Sequence, residues 1–138
     1  MSGKLITCSV ADMNKYSHIQ NKYLITIVCN NNPTELKRKY GFEWCPSLAP
    51  TSEIFQEYRR LVNKNQWGLY MFNNWYTPAF INHILNNKAS TDMLNYIYSL
   101  LKADHDVVIA CYCGNVNLCH RSLVALQFQN LGFDVEYY

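Results

Sequence analysis

The sequence predicts an α/β fold built on a mainly parallel sheet, in a single domain spanning residues 1–138. Three observations carry this. Lys4–Val10, Tyr23–Cys29 and Val107–Tyr112 are short apolar, β-branched runs of strand length. Tyr23–Cys29 (Y-L-I-T-I-V-C) is apolar on both faces, as interior strands of a parallel sheet are. Between the strands lie stretches of helical period, so strands and helices alternate.

Lys4–Val10 reads as the first strand and Tyr23–Cys29 as the second, followed by a turn at Asn30–Pro33. Phe42–Pro50 has neither period and is expected to be irregular. Helical spacing begins after Thr51, with Ile54, Phe55, Tyr58, Leu61 and Val62 on one face. Thr77-Pro78 is a start signal, Thr as N-cap and Pro in the first turn, and places Phe80, Ile81, Ile84 and Leu85 inward. Ser90 or Thr91 is the expected cap of the next helix, whose stripe is Met93, Leu94, Ile97, Tyr98 and Leu101. Strand Val107–Tyr112, helix Ser122–Leu131 and strand Phe133–Tyr137 close the chain as a β-α-β unit, with the right-handed crossover such units take.

Composition narrows the classes. A formal charge of +2 over 138 residues gives no electrostatic argument for a nucleic-acid partner, and the small clusters Lys37-Arg38-Lys39 and Arg59-Arg60 read as solvated faces. No apolar run approaches the roughly 18 residues of a membrane span, and the N-terminus has no secretory pattern. A cytoplasmic protein with reduced thiols is therefore expected, with no membrane partner, and its six cysteines are not read as a disulfide framework. Cys8 and Cys29 fall in apolar runs and read as core, while Cys45 says little.

Cys111, Cys113 and Cys119 are different, because they cluster with His120, Arg121 and Ser122 between a strand and a helix. In open α/β sheets ligands bind at the carboxyl ends of strands, and a helix start attracts anions. Three chemistries compete. In the first, Arg121 offers a bidentate fork to a phosphate or carboxylate, with Ser122 adding a hydroxyl. In the second, Cys119 or Cys113 is a thiolate nucleophile activated by His120, Arg121 and the helix start. In the third, Cys111, Cys113, Cys119 and His120 hold zinc. The spacing argues against zinc: Cys111 and Cys113 flank a single residue, and the adjacent Cys119 and His120 are expected to point apart at a helix start. No metal is therefore expected. Against all three stands a structural role, with Cys111 as a small buried apolar group and Arg121 paired with a carboxylate such as Glu53 or Asp106. A phosphatase loop, a thioredoxin-type pair, a phosphate-loop lysine and a dinucleotide glycine motif are all missing.

The run C-Y-C-G-N-V-N-L-C-H-R-S-L-V, closing at G-F-D-V-E-Y, resembles the signature of the Domain of Unknown Function 488 (DUF488) family: a strand ending in cysteine, a variable turn, Cys-His-Arg opening a helix, then a last strand after a glycine. Ser47–Tyr58 resembles that family's Leu-Ala-Pro segment, and Trp75–Phe80 its tyrosine-containing helix. The likeness is weakest in the first forty residues. It implies a three-layer Rossmann-like fold and leaves the reaction open. Members commonly carry a Glu two residues after the strand cysteine, where this chain has Cys113.

The resulting expectation is a protein that binds a nucleotide-like or phosphate-bearing ligand at Cys119-His120-Arg121. Cys119 and His120 are its candidate catalytic groups, and Cys111, Cys113, Arg121 and Ser122 its candidate ligand contacts. The alternative is a non-catalytic interaction protein, of phage or mobile-element type, that binds a partner through the aromatic stretch Trp67–Tyr76. Those rings either cover the sheet or stack on a base, with Asn73 and Asn74 placed to read its edge.

Overall fold

The computed structural model describes residues 2–9, 22–26, 43–111 and 118–138. Among the described residues five strands form one sheet: β1 (Leu5–Ser9), β2 (Lys22–Thr26), β3 (Glu43–Trp44), β4 (Asp106–Cys111) and β5 (Val135–Tyr137). Their order is β3-β2-β4-β1-β5, and every pairing is parallel. This is the α/β architecture expected, three-layered and Rossmann-like. The expected turn at Asn30–Pro33 and the ends of the first two strand runs lie outside the described residues. Phe42–Pro50 is less irregular than its sequence: it supplies the two-residue edge strand β3 and a 3-10 turn at Pro46–Leu48. Two residues are too few to show a period.

The helices are α1 (Ser52–Asn63), α2 (Leu69–Met71), α3 (Thr77–Asn86), α4 (Lys88–Lys102) and α5 (His120–Asn130). Thr51 caps α1, its hydroxyl accepting from the Ile54 N–H at 3.2 Å. Of the α1 stripe only Leu61 is fully buried, and Val62 is exposed.

Thr77 is not a cap. The π-helical segment Phe72–Tyr76 joins α2 to α3, and Tyr76 and Thr77 are both helical, so the backbone runs on without a start there. The Thr77 N–H bonds the Phe72 carbonyl, five residues back. Pro78 explains the wide turn: it has no N–H to give and its ring clashes with the carbonyl four residues before it, which a π turn accommodates. In α3, Phe80 and Ile84 are buried as expected, but Leu85 is half exposed.

The cap of α4 also differs. Asn87 holds it, accepting from the Ser90 N–H at 3.0 Å, while Ser90 lies inside and donates its hydroxyl to the Ser47 carbonyl at 2.5 Å. Ile97, Leu100 and Leu101 form the buried stripe of α4, and Tyr98 stays at the surface, edge-on to Phe133.

Register and alternation divide the sheet into two faces. Leu5, Thr7 and Ser9 stand beside Val107, Ile109 and Cys111. The apolar members of this face, except Thr7 and Ser9, join one core with Phe72, Tyr76, Phe80, Ile84, Ile97, Leu101, Val124 and Phe128. On the other face Ile6, Cys8, Val108 and Ala110 are equally buried, as a three-layer fold requires. The closing β-α-β unit does not join neighbouring strands, because β1 lies between β4 and β5. Among the described residues no helix is long and apolar enough to cross a membrane.

Gly3 shows how tightly β1 enters this sheet. A Cβ there would sit 1.9 Å from the His105 carbonyl oxygen, a backbone atom that cannot swing away. Gly3→Ala should destabilise the fold by about 3 kcal/mol or more, the upper range for overpacking, read as a lower midpoint in urea unfolding. An unchanged midpoint would show that the Gly3–His105 approach is not a constraint.

Candidate functional site

Helix α5 starts two residues earlier than its apolar stripe indicates. Cys119 is its N-cap, with extended backbone (φ −125°, ψ 145°), and His120 and Arg121 are its first helical residues. Their side chains are buried, so the stripe is not what defines the helix start. Ser122 is half-buried and donates its hydroxyl to the Cys119 carbonyl at 2.7 Å.

The residues singled out by sequence separate into three places. The first is a buried cluster. Cys111 ends β4, and its sulfur lies 2.9 Å from that of Cys119. The Cys119 sulfur is 3.8 Å from His120 Nδ1, and the three side-chain atoms all lie within 4.8 Å of one another. The expectation that Cys119 and His120 diverge is therefore corrected. An extended N-cap followed by a helical residue turns both side chains toward the end of β4. Exposure is 2% for each cysteine and 8% for His120. Phe80 packs edge-on to the imidazole, its ring centre 5.6 Å away, and forms a ladder with Tyr76 and Phe72 behind it. Most of the aromatic stretch is thus core.

The second place is the base of α5. Arg121 is completely buried. Its Nη1 donates to the Thr7 hydroxyl at 3.0 Å and to the Tyr138 main-chain oxygen at 2.6 Å. Neither Glu53 nor Asp106 is its partner in these bonds. Asp106 instead accepts from the Lys4 N–H at 2.9 Å. The guanidinium therefore ties α5 to β1 and to the residue after β5.

The third place is a cleft of about 530 Å³, lined by Phe72, Asn73, Thr77, Ser122, Leu123, Leu126 and Tyr137. Of the candidate residues that are described, only Ser122 lines it. The Thr77 hydroxyl is buried and has no hydrogen-bond partner among the described residues. Phe72, Asn73 and Thr77 reach it from the π segment and the start of α3, and Tyr137 from β5. Sequence flagged the rings and asparagines but gave no sign that they would meet Ser122. Cys113 lies outside the described residues.

Cys45 has a place of its own, away from the buried cluster. It is buried against the Ser47 hydroxyl at 3.3 Å, and burial pushes its thiol pKa up, keeping it protonated.

Comparison with known proteins supports the family resemblance. The family model described as "Active DUF488-N3 subclade" (DUF488-N3a) matches residues 9–132. No curated protein and no solved structure matches the chain.

Removing the Arg121 side chain takes this donor from the buried Thr7 hydroxyl and leaves a void. Arg121→Ala is expected to cost about 3 kcal/mol of folding stability, by the penalties for buried unsatisfied groups and cavities, visible in chemical denaturation. A variant as stable as the parent would return Arg121 to the role of ligand fork.

Proposed function

This chain belongs to the DUF488 family, and on that footing we propose that it binds a nucleotide-like, phosphate-bearing ligand in the cleft between the π segment and the start of α5, as an enzyme or a sensor of that ligand. The observation that carries the reading is the cleft itself, about 530 Å³, whose wall brings Phe72, Asn73 and Thr77 together with Ser122 at the start of α5 and Tyr137 of β5. The surroundings suit a nucleotide. The volume is in the ordinary range for small-ligand sites, Phe72 and Tyr137 offer ring surface, and Asn73 offers amide donors and an acceptor for a base edge. The start of α5 supplies a partial positive charge beside Ser122 for a phosphate. The family model's description as an active subclade favours an enzyme.

In this reading the Cys-His-Arg residues divide their labour. Ser122 touches the ligand, Arg121 fixes the helix start, and Cys111, Cys119 and His120 form a chemical group behind the cleft. The second reading, a partner-binding surface, draws on Leu69 and Tyr70. Both are strongly exposed at the first turn of the aromatic stretch, Tyr70 at 75%.

The test is a thermal-shift titration with AMP, GMP, CMP, UMP and inorganic phosphate. At least one nucleotide should raise the Tm of the wild type. Asn73→Ala, at an exposed position, should weaken that binding about fivefold, the worth of one hydrogen bond. Leu126→Glu should abolish it by setting a carboxylate against the phosphate. A Tm unmoved by every compound would overturn the ligand reading and leave the aromatic surface as the better account.

A further inference from the structure

We infer that Cys111, Cys119 and His120 form a binding site for a soft divalent metal ion, zinc before others. The inference does not rest on the cleft, which none of the three residues lines. Two sulfurs and an imidazole nitrogen converge within 4.8 Å in a buried place. All three stand on rigid elements: Cys111 on β4 in the sheet interior, Cys119 and His120 at a helix start fastened by Arg121 to Thr7 and Tyr138.

Distances test the fit. Around a tetrahedral zinc with ordinary bond lengths, a sulfur and a nitrogen ligand lie about 3.6 Å apart and two sulfurs about 3.8 Å. Cys119 Sγ and His120 Nδ1, at 3.8 Å, already have the required separation. The two sulfurs, at 2.9 Å, must open by about 0.9 Å, within reach of a cysteine side-chain rotation. A disulfide would need them to close by a similar amount, to about 2.05 Å. The third donor separates the two outcomes. A disulfide has no use for the imidazole, whereas a metal takes Nδ1 as its next ligand. Two thiolates with an imidazole also select zinc over magnesium or calcium, which prefer oxygen.

Among the described residues three protein ligands converge, and water, a substrate atom or a further side chain completes the tetrahedron. Binding requires both thiols to lose their protons, so uptake releases up to two protons per ion, and affinity falls as the pH falls.

The experiment uses the full chain, reduced with a phosphine and stripped of metal by chelator, then titrated with Zn²⁺ and separately with Co²⁺. One zinc per chain should bind by elemental analysis and raise the Tm. The cobalt form should show thiolate-to-metal charge transfer and the intense visible bands of a tetrahedral ion. Cys111→Ser, close in size to the parent, and His120→Ala should each weaken zinc binding about a hundredfold or more, since even residues behind the ligands cost up to that much. Circular dichroism checks that both variants fold, and Cys45→Ser, at a second buried thiol outside the cluster, should bind as the wild type does. Failure to take up zinc, uptake equally strong in Cys111→Ser, or a cobalt spectrum without charge transfer would each overturn the site. So would a reduced chain that refuses zinc but forms a Cys111–Cys119 disulfide in air, detected as a loss of two hydrogens by mass spectrometry. None of these results touches the nucleotide titration, which has its own readout and variants.

Discussion

The buried guanidinium of Arg121 is the interaction on which the rest of this arrangement depends. An arginine completely removed from water loses its hydration, and only well-placed acceptors offset that loss. Here the acceptors come from Thr7, in the middle of β1, and from Tyr138, just past β5. One side chain at the start of α5 thereby holds two neighbouring strands and the helix in a fixed relation. Arginine suits the task because its long side chain spans from the helix to the sheet and its Nη1 carries two N–H donors, one for each acceptor. The same attachment sets where α5 begins, and so where its N-cap sits. Thr7, Ser9, Ile109 and Cys111 share a face of the sheet, so a helix start pinned over Thr7 brings Cys119 and His120 to the end of β4.

Much of the fold was legible in the residues. Apolar, β-branched runs mark β1, β2 and β4, and the run apolar on both faces belongs to a parallel sheet. The stripes of α1, α3 and α4 appear at helical spacing. What stayed hidden was decided by competing chemistry. Thr77-Pro78 carries a start signal, yet a π turn lets the helix pass through the proline. Ser90 has the side chain of a cap, but its hydroxyl is used inside, against Ser47, and Asn87 takes the cap. The strand order, with β1 between β4 and β5, depends on long-range pairing that no local pattern records.

The candidate site was legible as a neighbourhood and not as an arrangement. Strand end, turn and helix start placed Cys111, Cys119, His120, Arg121 and Ser122 together. Spacing alone cannot tell that the helix opens at His120, and that one shift of start decides every orientation. It buries Arg121 under the helix, turns Cys119 and His120 to a common point, and leaves Ser122 facing the cleft. An arginine at a helix start resembles an anion fork, and here its buried Nη1 donates to the Thr7 hydroxyl and the Tyr138 main-chain oxygen, a packing that its sequence position does not announce. The place of Thr77 in the cleft wall had no sequence signal, since the π turn before it shows only in the three-dimensional fold.

The central claim is that Arg121 and Thr7 act as one connection between α5 and the sheet. A double-mutant cycle of Arg121→Met and Thr7→Val, read by urea unfolding, isolates that connection from the packing each side chain also provides. Contacting residues in one buried network couple by about 0.5–3 kcal/mol, and a value of about 1 kcal/mol or more is predicted here. Effects that add to within about 0.3–0.5 kcal/mol, as for distant independent sites, would contradict the claim and leave the start of α5 fixed by something other than the buried guanidinium.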